Sequence, residues 1–328
     1  MLTDFVLRGA PIVEVAERAA QVEALGFDAL GVTETNGNPF LAAAQAAQAT
    51  SRVRVMTAIA LAFPRSPMDV AYTAWDLQAL SGGRFALGLG SQVRAHVERR
   101  FSAAWTHPAA RMREYVLALG AIWQAWESGA ELDFRGEFYS HTLMPPNFRA
   151  PASGHSRPPV LLAAVRERMT EVAGEVADGF LGHAFCSAQV LRELTLPALE
   201  RGLERVGRSR AEIEVTASVF VATSEQEWEA CRRRVAFYGS TPGYRHVLDH
   251  HGLGALHEQL HRLSRSGAWD EMTSLIEDDV LALFVVRGGD HAAVADALRE
   301  RVQGVADRVA LVTETTSPAA LAAVAAAL

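Results

Sequence analysis

Three stretches of this chain carry residue types whose spacing could do chemistry. The first is Phe85-Ala-Leu-Gly-Leu-Gly-Ser91, an apolar run that ends on Gly88-x-Gly90 and leads into the polar Gln92-Val-Arg-Ala-His96. Glycines at the end of a buried strand let a ligand or another backbone approach the main chain closely. The second is Ala163-Ala-Val-Arg-Glu167, where a strand gives way to a helix. The free N–H groups and positive dipole end of a helix start suit a phosphate, and Arg166 adds charge there. The third is His183, which closes a strand. An imidazole ordinarily titrates near working pH and could act as general acid to a carbonyl, although a lone histidine is more often simply packed.

A fourth pattern is His257-Glu-Gln-Leu-His261, which matches H-E-x-x-H and would place two histidines on one helix face, as in zinc peptidases. It lies in a helical stretch rich in His and Glu, beside His250-His251, where such a string arises readily by chance. It is read as coincidence, and no metal is expected. A zinc peptidase is kept as a rival that a metal analysis would test.

One residue type is missing. The chain has no lysine, so Schiff-base aldolase chemistry, attachment of pyridoxal phosphate and the Walker A lysine are all excluded. Acidic residues outnumber basic ones 38 to 31, with no block of like charge, which gives no support for a nucleic-acid surface or a polybasic membrane contact. Arg232-Arg233-Arg234 falls inside a helical pattern and reads as a solvated face. Cys186 and Cys231 stand apart with no metal spacing, which fits a reducing cytoplasm. No signal peptide opens the chain, and no apolar run reaches membrane-spanning length. A soluble, cytoplasmic protein is expected.

The elements that must position these residues alternate strand and helix. Strands are expected at Thr3–Leu7, Asp28–Thr33, Arg52–Ala60, Phe85–Leu89, Pro159–Ala163, Asp178–His183, Glu212–Ala222 and Asp307–Thr313. Pro11, Pro39 and Pro67 open helices at the position where proline is favoured, and Gly26 and Gly82-Gly83 close them. Further helices cover Pro108–Glu127, Arg166–Ala177 and the alanine-rich end from Pro318 to Leu328. Phe134–Tyr139 reads as a hairpin or edge element. Helices dominate between Ala222 and Asp307.

Eight βα units in alternation require a parallel sheet and suggest an α/β fold closed as a TIM (β/α)8 barrel, in one domain spanning residues 1–328. A Rossmann-type fold is rejected. Its third glycine is replaced by Val93, and no acidic residue on a following strand could hold a ribose.

Leu25-Gly-Phe-Asp-Ala-Leu-Gly-Val-Thr-Glu34, Arg52-Val-Arg-Val-Met-Thr-Ala-Ile59 with Pro64-Arg-Ser-Pro67, Ser81-Gly-Gly-Arg-Phe-Ala-Leu-Gly-Leu-Gly90, and Pro159–Ala164 with Ala177-Asp-Gly179 occur in the order found in one superfamily. On these motifs the chain resembles the bacterial luciferase-like flavin and deazaflavin enzymes. Only the insertions at about 128–157 and 238–279 fall outside the likeness. Gln92–His96 with Arg99-Arg100, and Tyr238–Arg245, are similar to an F420-dependent oxidoreductase branch.

The resemblance implies a cofactor at the carboxyl ends of the strands. It maps a non-proline cis peptide in the third strand onto Ala58-Ile59, backing the ring; an uninterrupted strand is the plain alternative. It implies that Gly90, Ser91 and Gln92 meet the ring or its ribityl chain. Arg94, His96 and Arg99 would lie where a phosphate or polyglutamate-like tail binds, although Arg99 and Arg100 read rather as exposed helix charges. Ala164, Val165 and Arg166 would receive the cofactor phosphate. Related deazaflavin enzymes often carry Asp-His where this chain has Glu34-Thr35. Glu34 can stand for the aspartate, but Thr35 cannot act as an imidazole; this stretch either serves the cofactor or caps the next helix, since Thr35, Asn36 and Asn38 precede Pro39.

The implied activity is hydride transfer between F420 and a small organic substrate, with Glu34 and His183 as catalytic groups and the two insertions shaping the pocket. An FMN-dependent two-component monooxygenase and a non-catalytic flavin-binding homologue are the alternatives. The resemblance also implies a homodimer.

Overall fold

Parallel strands joined by helices form the centre of the molecule, seen in a computed structural model that describes residues 1–313 and 318–328. The strands are β1 (Leu2–Leu7), β2 (Ala29–Val32), β3 (Arg54–Thr57), β4 (Phe85–Gly90), β5 (Val160–Ala163), β6 (Gly179–Leu181), β7 (Glu214–Ala222) and β8 (Arg308–Val312). Each pairs in parallel with the next, and β8 pairs back onto β1. The sheet therefore closes into an eight-stranded barrel, as expected.

The helix starts follow the sequence signals. Asn38 accepts the Phe40 N–H and Ser66 accepts the Met68 N–H, each just before a proline at the first helical position. Gly82 and Gly83, at φ of 65° and 84°, end the helix Pro67–Leu80 in the left-handed region that a side chain disfavours.

Side chains alternate across the strands. Phe5, Leu30, Val55, Phe85, Leu87, Leu162 and Val309 face the helices in one large apolar cluster. The opposite positions face the barrel axis. At the amino ends of the strands this inner layer is ionic: Arg308 pairs with Asp4, both almost fully buried, and Arg54 pairs with Glu214. Midway it becomes the small cluster Ala29, Met56, Ala86, Leu161 and Leu181.

Two strand expectations need correction. Arg52–Ala60 is not one strand: pairing stops after Thr57 and resumes at Ala60–Leu61, which pairs with the carboxyl end of β4. The helix-dominated stretch before β8 also contains a strand, Val285–Arg287, paired with the end of β7. A three-residue apolar strand cannot be told from a buried helical turn by periodicity.

The insertion near 128–157 contains the hairpin Phe134–Arg135 with Ser140–His141, whose turn is anchored where Glu114 accepts the N–H groups of Glu137, Phe138 and Tyr139. Short helices between Pro242 and Ala282 cover one side of the barrel's carboxyl end. They have their own core around Phe185, Phe220, Trp228 and Phe284.

At the opposite end, Glu23 joins the loop before β3 to the first helix. Burial opposes its ionisation, but the N–H groups of Val53, Arg52 and Ser51 outweigh that and hold it at about 2. A depressed carboxylate stabilises the fold above its unfolded value and loses that contribution as pH falls toward the folded one. The stability gap between the protein and a Glu23→Gln variant is therefore expected to shrink as pH falls from 4.5 toward 2. Urea unfolding across that range checks this, and a constant gap would count against it.

Candidate cofactor and substrate site

The interruption of the third strand shapes the barrel mouth. The Ala58–Ile59 peptide bond is cis, as the resemblance implied. Ala58 donates its N–H to Val32 O, and Thr57 Oγ1 donates to Gly88 O at 2.7 Å. The displaced segment fills space that only glycines leave. A Cβ on Gly31 would lie 2.7 Å from the Ala58 Cβ, one on Gly90 would lie 2.6 Å from Ile59 Cδ1, and one on Gly88 would lie 1.8 Å from Thr57 O. The result is a shallow cradle over β2, β3 and β4, with Ala58, Ile59 and Gly90 on it.

Glu34 lies beside this cradle and is buried. Arg65 donates to both its oxygens, at 2.8 and 2.9 Å, and the Leu61 N–H donates to one of them at 2.8 Å. Arg65 also donates to Leu61 O. Glu34 and Arg65 thus hold both main-chain groups of the residue that follows the displaced segment. With its oxygens so occupied, Glu34 is built to position backbone rather than to move a proton. The helix cap falls to Asn38, not Thr35, whose carbonyl accepts from Arg100.

Ser91 and Gln92 continue from the cradle, half-buried. Gln92 sits at φ 60° and accepts the Val93 N–H with its side chain. A non-glycine residue in that region costs about 1 kcal/mol or more and is characteristic of ligand-contacting turns. The arginines beyond it are not gathered there. Arg94 is 71% exposed and paired with Glu98 on the outer face of its short helix.

Ala164, Val165 and Arg166 lead into the helix Glu167–Val176, whose start has no side-chain cap. Val165, Arg166, Thr170, Thr195, Arg201 and His246 line a cavity of about 430 Å³, together with Glu167 and Glu193. Arg201 is tied to Glu167 and Glu171, while Arg166 donates to the carbonyls of Pro242 and Gly243. The backbone of Val165 and Gly243 contacts the His246 imidazole, whose Nδ1 is buried there without a hydrogen-bond partner among the described residues. Uncapped N–H groups, arginine and an unsatisfied imidazole nitrogen suit an oxyanion.

His183 follows β6 at the mouth, between Tyr238 (centroids 4.5 Å apart, edge-on) and Tyr244 (4.7 Å). Its Nδ1 accepts the Phe185 N–H at 3.0 Å. Burial, with Arg8 and Arg234 adding to it, pushes its pKa down to about 4. The expectation of an imidazole titrating near working pH is therefore corrected. Apolar surroundings and neighbouring cations keep the ring neutral.

The H-E-x-x-H string has a structural explanation. His257 and His261 turn Nδ1 onto the carbonyls of Gly239 and Ser240, capping the end of the helix Glu225–Gly239. Their rings are parallel, with centroids 5.9 Å apart. Among the described residues no three His, Cys, Asp or Glu side chains are grouped to hold a metal, and no helix is long and apolar enough to cross a membrane.

Sequence reasoning did not single out Arg65, Tyr238, Tyr244 or His246 as site residues. Arg65 falls within the Pro64–Pro67 motif, and Tyr238 and Tyr244 fall within the Tyr238–Arg245 stretch.

An uncharacterized protein of Mycobacterium tuberculosis is 50% identical over 304 residues, covering 91% of this chain and 89% of that one. A second protein of that organism, named "Putative coenzyme F420-dependent oxidoreductase", is 28% identical over 314 residues, covering 84% of each. The structure of the coenzyme F420-dependent tetrahydromethanopterin reductase of Methanopyrus kandleri superposes with a TM-score of 0.80 at 22% identity, over 99% of this chain and 97% of that one. The profile described as luciferase-like monooxygenase matches residues 4–308, and the chain belongs to that family.

Proposed function

We propose that this protein is an F420-dependent oxidoreductase that transfers a hydride between the deazaflavin and a small organic substrate. The observation that carries the reading is the glycine cradle of Gly31, Gly88 and Gly90, capped by Ala58 and Ile59. The displaced segment fills the space over these glycines and presents half-exposed Ala58 and Ile59 as a backing for a flat ring at the end of the barrel where ligands bind. The relative named as an F420-dependent oxidoreductase adds support. Bound F420 supplies the hydride from C5 of its ring.

The chain's residues supply the rest. Ala58, Ile59 and Gly90 back the ring, and Ser91 and Gln92 flank it. The uncapped helix start after Ala164, with Val165, Arg166 and the 430 Å³ cavity, takes the phosphate. Glu34 and Arg65 hold the backing segment in place, and His183 faces the substrate. The apolar Ile12, Val13, Leu41 and Leu80 are exposed on the first units of the barrel, which suits the proposed homodimer. That Cys186 and Cys231 are not joined in a disulfide suits a reducing cytoplasm.

The family also contains monooxygenases, so FMN is the competing cofactor. Titrating the purified protein with F420 and, separately, with FMN, while following fluorescence of its six tryptophans, decides between them. F420 is expected to bind at least about tenfold more tightly, a difference of about 1.4 kcal/mol. Tighter FMN binding would move the enzyme to the monooxygenases, and binding of neither would indicate a non-catalytic homologue.

A further inference from the structure

We infer that His183 is a neutral hydrogen-bond donor whose Nε2–H recognises an oxygen on the reacting carbon, so that the substrate pair is a carbonyl compound and its alcohol. This rests on the hydride-transfer reading and narrows it to one class of substrate.

The tautomer follows from one contact. The Phe185 N–H can only donate, so the His183 Nδ1 it meets at 3.0 Å must carry a lone pair, and the ring proton is on Nε2. Among the described residues that Nε2–H has no hydrogen-bond partner. Tyr238 and Tyr244 hold the ring on two sides. Behind them Phe185 stacks on Phe284, with centroids 4.4 Å apart, so aromatic rings wall this side of the mouth.

The ring is also kept from charging. Arg8 acts on it from the end of β1 and Arg234 from the helix Glu225–Gly239. The titratable groups packed directly on it are the phenols of Tyr238, from that helix, and Tyr244, from the turn after it. Burial pushes the Tyr244 phenol well above its ordinary value, so it too stays neutral.

A neutral imidazole is a poor proton source but a good hydrogen-bond donor, and in an apolar pocket that donor acts on developing negative charge. An alkene offers it nothing to bind. A carbonyl or hydroxyl oxygen satisfies it.

In the reducing direction the carbonyl carbon accepts a hydride from the reduced deazaflavin, which is thereby oxidised. The C=O π electrons move onto oxygen, where His183 Nε2–H stabilises the charge while keeping its own proton. The oxygen then takes a proton from water. Alcohol oxidation runs the same steps in reverse.

Long-range ¹H–¹⁵N NMR of imidazole-labelled protein tests this, free and with F420, using cyclohexanone and cyclohexene as probes. In the free protein the His183 signals, assigned by their loss in His183→Phe, are expected to show protonated Nε2, unprotonated Nδ1 and no titration from about pH 5.5 to about 8.5. With F420 bound, cyclohexanone is expected to shift the Nε2–H resonance and cyclohexene to leave it unchanged. Cyclohexanone binding should weaken about fivefold in His183→Phe, the loss of one hydrogen bond, and largely survive in His183→Gln, which keeps an N–H donor.

Titration near the ordinary histidine value, or a proton on Nδ1, would overturn the assignment. So would equal responses to the two probes, or none to the ketone. Because the tautomer and pH readings need no cofactor, failure of F420 to bind would refute the hydride-transfer reading separately.

Discussion

Replacing Arg308 with methionine is expected to cost the folded protein about 3–5 kcal/mol, because it leaves the fully buried Asp4 carboxylate without its guanidinium partner. The pair closes the ring of strands between β8 and β1. Burial already raises Asp4 above 3.8 against the pull of Arg308, and removing Arg308 raises it further. A carboxyl whose folded value is raised favours folding only while it stays protonated, and works against folding as pH rises through that value. The deficit of Arg308→Met should therefore be smallest in acid and grow toward neutral pH. Replacing both partners with apolar residues, Asp4→Leu with Arg308→Met, should recover most of the loss, since no charge is then stranded. Urea unfolding of the single and double variants at acid and neutral pH decides this. A loss independent of pH would reduce the pair to ordinary packing.

The second large effect is expected at Glu34. Alanine there strips Arg65 of a two-pronged partner and leaves the Leu61 N–H unsatisfied, costing about 3–5 kcal/mol. Glutamine keeps an oxygen for Leu61 but loses the charge-assisted pairing, costing about 1.5–3 kcal/mol. Both changes loosen the segment that forms the cradle, and the F420 dissociation constant should rise in the same order. An outcome in which Glu34→Gln binds F420 normally but loses turnover would restore Glu34 as a proton-handling group.

Much of this fold was legible because punctuation and period agreed. Pro39, Pro67 and Pro108 open helices where proline was placed at the start, and Gly82-Gly83 ends one. The strands read from apolar runs all lie in the barrel. What stayed hidden depended on contacts distant in sequence. Glu34 and Arg65 are 31 residues apart, and nothing in either local pattern announces the pair. The break after Thr57 was suggested only by family likeness, because Val53 to Leu61 looks like one apolar strand. His183 was legible as a residue at the mouth, but its protonation was not. That depends on burial, on two arginines from other elements, and on the Phe185 amide.

The ionic layer at one end of the barrel and the glycine-lined cradle at the other separate two inheritances. Changes remote from one another tend to add rather than interfere. The mouth can therefore be re-tooled, by exchanging the short helices between Pro242 and Ala282 or the aromatic residues around His183, while the seam between β8 and β1 keeps the barrel closed. A lineage or an engineer seeking a different substrate has a platform whose durability does not depend on the side chains being changed.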